Sequence, residues 1–428
     1  MIALPASKIF CKRLAFRGAL AIAANYMILT GCMKKPSNTL ALPTEATATE
    51  TTAPASTATA AALAPPIHIT RLVFDGGTDG YHSYRIPSII RTKNGTLIAF
   101  AEGRRWNNSD WGDINLVYKR SFDNGNTWSA LGEVIGAGNG TWGNPTAVYD
   151  WHQGPNGRVW LFMSWHAGDH DEISDIDTWG KRRVKVSYSD DHGATWSSPA
   201  DLTNTLLPPN YKWDAMGPGI GIQTVFDHPG RLIIPAKGRN IYSDDHGATW
   251  QYQLIAGGTD EGTIVERMDG QLLRNDRPGS SLWEASKRRR IAVGSIEGGF
   301  PGWSIENELP DPKCEGSIMR YNTDHPARII FLNPNSTSKR CNMTVRISYD
   351  EGNSWARSRP IYDWNTCDYA PITVAKGGYS SMIKTADYAI GALIEINENV
   401  HDNANSHRSI EFHKFNLAWI LNGQSEPQ

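Results

Sequence analysis

The nine residues YSDDHGATW at 188–196 recur unchanged at 242–250. The wider pattern S-x-D-x-G-x-[ST]-W occurs as SFDNGNTW (121–128), SDDHGATW (189–196 and 243–250) and SYDEGNSW (348–355), with a worn copy, SIEGGFPGW, at 295–303. Intervals of roughly fifty residues belong to one supersecondary unit used several times. Copies follow alternating runs such as RVKVSY and MTVRISY, so the motif turns hairpins. Its Asp should accept from turn amides, its Gly should supply a positive φ, and its Trp should plug the face between neighbouring sheets. The acids of the repeat are therefore turn formers and not catalysts. A unit of this length holds about four strands, one propeller blade, and Ile67 to Leu421 leaves room for about six. The fold expected is an all-β, six-bladed β-propeller.

Composition agrees with that fold. The 428 residues include 40% apolar types, 16 Trp and 40 Gly, a pairing suited to tight turns and aromatic plugs. A formal net charge of −2 gives no field to gather nucleic acid, and the basic runs KRR (181–183) and KRRR (287–290) read as solvated strand ends.

The first 65 residues differ in kind. Lys8, Lys12, Arg13 and Arg17 precede the apolar run LAFRGALAIAANYMILTGC, which ends at Cys32 and is too short and interrupted for a stable span. Residues 1–31 read as a secretory signal. LTGC resembles the lipobox of bacterial lipoproteins, which implies acylation of Cys32, export and a membrane anchor. Met33, in place of the Asp that often retains such proteins at the inner membrane, favours the outer membrane. The Ala/Thr/Pro-rich stretch 32–66 cannot build a core and reads as a tether, with 67–421 as the folded body and 422–428 as a tail. Cys314, Cys341 and Cys367 remain in the body without metal-ligand spacing, so one disulfide and three small buried thiols both stay open.

Chemistry should lie in residues that the repeat does not explain. YRIPSII (84–90) resembles the Y-R-I-P motif opening the catalytic domain of sialidases, and Arg85 matches the first arginine of their carboxylate-binding triad. AFAEGRRWNNSDWGDINLVYKRSFD (99–123) resembles the segment with a further substrate-contacting arginine, here Arg104, and the acid/base Asp. Asp110 has the family offset to Arg120, and Asp113 is the competing strand-entry residue. DEGTIVERMDGQLLRNDR (260–277) resembles the stretch carrying the catalytic Glu, Glu261, and the second arginine, Arg277. Glu266 is expected to be exposed beside its MDG turn. Gly262 stands where Ser or Cys is frequent, and Glu315 of CEGSIMRY (314–321) where Gln is common. Arg340 takes the third triad position ahead of Arg346, and Tyr379 of VAKGGYSSM (374–382) takes that of the nucleophile.

The resemblance implies an exo-sialidase that hydrolyses terminal α-linked sialic acids with retention. Three guanidiniums suit the carboxylate on the anomeric carbon, through charge-assisted and partly bidentate hydrogen bonds. A neutral phenol avoids the repulsion that a carboxylate nucleophile would meet there. Its ordinary pKa near 10 demands a base, Glu261, while Asp110 would protonate the leaving oxygen and then activate water. Sialylated glycans are the implied partners, the protein is expected to be a monomer, and no cofactor is required. In the loop HAGDHDEISDIDTW (166–179), His166, Asp169, His170 and Asp171 are read as a polar rim, not as a metal site. A transferring or intramolecular sialidase shares all these residues, and a non-catalytic glycan-binding propeller is the rival from another class.

Overall fold

The computed structural model describes residues 64–136, 138–367, 376–396 and 407–427; Cys32, most of the tether and Tyr369 lie outside the described residues. Alternating and apolar runs form strands throughout, and the described helices are short, the longest being Ser280–Ser286. Four sheets have four antiparallel strands each. Three of them run consecutively along the chain, over 222–254, 259–310 and 317–360. In the fourth, Lys376–Lys384, Ile390–Ile396 and Ser409–Phe415 are completed by His68–Phe74, which lies antiparallel along Ser409–Phe415 from the other end of the described chain. A nine-stranded sheet contains two antiparallel runs, over 83–135 and 140–201, which meet at the parallel contact of Ile114 with Thr141. Its ninth strand, Gly219–Ile220, pairs in parallel with Gly140–Asp150.

The first strands of four of the runs are largely buried, and small hydroxyl residues tie inner strands to one another. Ser88 Oγ donates to Gly219 O (2.6 Å), and Ser381 Oγ accepts from Ile89 N (3.1 Å). Ser317 Oγ accepts from Met382 N (2.9 Å), and Thr263 Oγ1 from Ile318 N (3.4 Å). Ladder positions that face no neighbour within their own sheet are satisfied in this way.

The repeated turns share one geometry. In the first, Ser121 Oγ donates to Asp123 Oδ1 and accepts from Gly125 N, both at 2.8 Å, while Asp123 Oδ1 accepts from Thr127 N (2.9 Å). Ser189/Asp191, Ser243/Asp245 and Ser348/Asp350 repeat these bonds. The residue before each glycine also has a positive φ, as in Asn124 (56°) and His192 (59°). Glycine is required for space as well, because a Cβ on Gly125 would lie 2.0 Å from the Phe412 ring. Trp128, Trp196 and Trp250 meet Phe412, Phe100 and Phe162 of a neighbouring run at ring separations of 5.2, 5.4 and 4.7 Å. Trp355 packs instead on Phe331 of its own sheet (5.5 Å), in a cluster that includes Leu273 and Leu309. In the worn copy, Glu297 binds Arg231 at 2.6 Å and caps no turn.

Two expectations change, and one open alternative is settled. Arg182, Arg289 and Arg290 of the basic runs are buried, because acceptors await them: Arg182 Nη2 reaches Asn144 Oδ1 (2.6 Å), and Arg289 Nη1 reaches Asp311 (2.7 Å). Glu266 is buried, since its carboxylate accepts from the amides of Val225, Phe226 and Asp227 at 2.6, 3.0 and 2.9 Å. Cys341 and Cys367 form a disulfide with Cα atoms 5.2 Å apart, leaving Cys314 as a buried thiol.

Candidate active site

Four inner strands carry a register shift near the same end: between Arg85 and Ser88, Gly143 and Thr146, Thr259 and Gly262, and Lys376 and Ser380. A bulge re-aims side chains out of the pleat. In YRIP the cause is local: Pro87 has no N–H to offer the ladder, and Ile86 adopts φ 57°, a strained value for a β-branched residue. Arg85, Glu261 and Tyr379, each within or beside a shift, thereby face one cavity of about 390 Å³, which Arg104, Asp110, Arg277 and Arg340 also line.

Tyr379 lies at the centre. Its hydroxyl donates to Glu261 Oε1. Arg277 Nη1 donates to the same hydroxyl (2.5 Å) and to Glu261 Oε2. The guanidiniums of Arg85 and Arg340 stand 5.4 and 5.1 Å from the ring centre. Burial, with Glu261 adding to it and Arg277 and Arg340 opposing it, holds the phenol well above its ordinary pKa of 10, so it is protonated. Buried Arg277 Nε has no acceptor among the described residues, and Arg340 Nη2 makes a hydrogen bond of 3.4 Å to Lys313 O. Cationic donors left in that condition on a cavity wall suit an anion.

Asp110 meets Arg104 at 2.8 Å and Arg85 at 3.3 Å, with its side chain 50% exposed. Burial would raise its pKa, but Arg104 and Arg85 overcome this and keep it well below the usual carboxylate range. Asp113 points elsewhere, to Arg105 (3.4 Å), and Arg346 is engaged by Asn333 and Asn335 (2.8 Å each), so neither lines the cavity.

Residues not anticipated from the sequence hold the anticipated ones in place. Glu395 accepts from Arg85 Nε and Nη2 (3.1 Å each), Ile86 N (2.8 Å) and Tyr379 N (3.0 Å). Burial opposes its charge, yet Arg85 and these amides bring its pKa down to about 2. Glu102 does the same for Arg104, accepting at Nε (3.1 Å) and Nη2 (2.6 Å), and its other oxygen takes Asn144 N (2.9 Å). Each is a lone acid in an apolar strand, LIAFAEGR and IGALIEI, and that is the signal available in the sequence. Glu315 accepts from Ser380 N (2.9 Å), and burial raises its pKa well above 4.5. A protonated carboxyl there resembles the amide of the glutamine common in sialidases. The far wall is Trp213, with Lys237 Nζ 4.5 Å and the Arg182 guanidinium 5.3 Å from its ring. Glu172 and Ile173 of the acidic loop complete the lining, and no three of His166, Asp169, His170 and Asp171 converge as ligands.

Residues 95–388 match the family model described as a BNR repeat-like domain. The chain is 45% identical over 371 residues to an exo-alpha-sialidase of Aspergillus fumigatus, covering 80% of this chain and 86% of that protein. It is 30% identical to a sialidase of Micromonospora viridifaciens, over 83% of this chain and 55% of the other. Among solved structures, the Hadza microbial sialidase Hz136 superposes with a TM-score of 0.68 at 23% identity, over 82% of this chain and 69% of that one. With its repeats, its fold and this level of identity, the chain belongs to the sialidases of the BNR-repeat family.

Proposed function

We infer that the cavity removes terminal α-linked sialic acids with retention, through a tyrosyl-sialoside intermediate. The chain is an exo-alpha-sialidase, a glycoside hydrolase. The observation that carries the mechanism is the Tyr379 hydroxyl donating to Glu261 while Arg277 contacts both. Arg85, Arg277 and Arg340 bind the substrate carboxylate, and Arg104 positions Asp110. As Tyr379 attacks the anomeric carbon, its proton passes to Glu261, and Arg277 offsets the charge growing on the phenolic oxygen. A substrate carboxylate that draws Arg85 away from Asp110 removes one of the charges holding that acid down. Asp110 can then take a proton from solvent and pass it to the leaving oxygen; in the second step it takes one from the attacking water while Glu261 returns its proton to the departing Tyr379 oxygen.

The sheet pattern supports a six-bladed propeller: six antiparallel runs of four strands, with several inner strands tied to one another and the last run completed by the first described strand. Residues 1–31 are proposed as the signal, 32–66 as the tether, 67–421 as the propeller and 422–428 as the tail. Cys32 is proposed as the acylated residue of an exported monomer held at the outer membrane.

Release of a fluorogenic aglycone from an α-sialoside, with the product anomer followed by NMR, tests the chemistry. The α-anomer should appear first. A β-anomer first would overturn retention, and binding without release would leave a glycan-binding propeller.

A further inference from the structure

The inner strands have a second end. Opposite the bulges, their C-terminal residues line another cavity, of about 240 Å³. Its walls are apolar, formed by Ile90, Ile220, Val265, Ile318, Met319 and Ile383. Val225, 66% exposed, and Phe226 also line it, and the hydroxyl ties of Ser88, Ser317 and Ser381 lie between it and the catalytic cavity.

The charged side chains lining this cavity are unevenly paired. Glu266 is satisfied by three backbone amides, and Arg320 is committed to Glu351 at 2.8 Å. Two cations remain. Arg91 lies over the Trp151 ring at 5.4 Å, with no hydrogen bond or ion pair among the described residues. Lys384 donates to Tyr321 O (2.8 Å) and has no carboxylate within ion-pair distance among the described residues. Burial and the neighbouring Arg91 lower the Lys384 pKa against the smaller pull of Asp324, so the two cations repel one another beside an apolar space. A molecule with one anionic end and an apolar body would relieve the repulsion and fill that space.

We propose that this cavity is a binding site for a medium-chain aliphatic carboxylate, whose hydrocarbon enters between the inner strands while its carboxylate meets Arg91 and Lys384. The site is separate from the sialoside cavity and does not depend on the hydrolytic mechanism.

Calorimetric titration of the full chain with butyrate, hexanoate, octanoate and decanoate tests this. Affinity should rise about four-fold per methylene until the cavity is full. Octanol should bind at least about ten-fold more weakly than octanoate, as should octanoate to the double variant Arg91→Gln, Lys384→Gln. The thermal melting of that variant is the check on its folding. The chain-length series and the octanol comparison use the unaltered protein and stand even if the variant does not fold. Equal affinity for octanol and octanoate, no dependence on chain length, or displacement of octanoate by a sialic-acid-like inhibitor would each overturn the proposal.

Discussion

Replacing Glu395 by Gln should damage both stability and substrate affinity, and the two losses can be separated. The carboxylate accepts four hydrogen bonds, two from Arg85 and one each from the amides of Ile86 and Tyr379. Gln keeps one acceptor oxygen and turns an N–H₂ toward donors, so the Arg85 charge loses its buried partner. Breaking a buried pair from one side costs about 3–5 kcal/mol. The pKa gives a second route to the size. Lowering it from 4.5 to about 2 is worth about 3 kcal/mol, at about 1.4 kcal/mol for each pH unit. The sign follows from the depressed value: this stability is present above pH 4.5 and is lost as pH falls toward 2. Denaturant unfolding at pH 7 should therefore show a variant weaker by about 3 kcal/mol, with the difference vanishing toward pH 2. Affinity for a carboxylate-bearing inhibitor should fall about ten-fold or more, because Arg85 is no longer aimed. Leu393→Ala, a core truncation in the same strand, should lose comparable stability and keep its affinity at 25 °C. Equal affinity losses in the two variants would refute a positioning role for Glu395.

Tyr379→Phe should lose turnover by orders of magnitude yet keep most inhibitor affinity, as read by kinetics beside calorimetry; near-normal turnover would move the nucleophile elsewhere, with Tyr369 the next residue to try. Arg340→Ala should instead weaken the inhibitor about ten-fold or more, because one arm of the carboxylate clamp is gone. Glu315→Gln should raise the melting temperature at pH 8 and leave it unchanged near pH 4, since a carboxyl with a raised folded pKa loses stability as pH rises above 4.5; an equal shift at both pH values would count against a protonated Glu315. Labelled palmitate should enter the wild type and not Cys32→Ser, and equal labelling would end the lipid-anchor proposal.

The repeated turn was legible because its bonds are local: Ser121, Asp123, Gly125 and Thr127 satisfy one another within seven residues. The residues lining the cavity were legible by resemblance, through YRIP, the Glu261-to-Arg277 stretch and GGYSSM. Their supporting acids were not, since an acid inside an apolar strand names no partner by itself, whether the partner is near, as Arg104 is to Glu102, or far. Glu395 reaches back to Arg85 across 310 residues. Arg182 misled for the converse reason, because a run of three basic residues resembles a solvated end until Asn144 and Trp213 come near it. Pairing among the three body cysteines was likewise undetermined, since it depends on the loop bearing Arg340 folding against the segment that ends at Cys367.

The strand His68–Phe74 completes the sheet that also holds Tyr379. During synthesis this strand is made well before its partner Ser409–Phe415. A nascent chain stalled before residue 409 would expose an unmatched strand and leave Arg85 without Glu395 fully fixed in its sheet. Catalytic competence should therefore require Ser409–Phe415, and a chain cut back to residue 404 should yield a sticky, inert product.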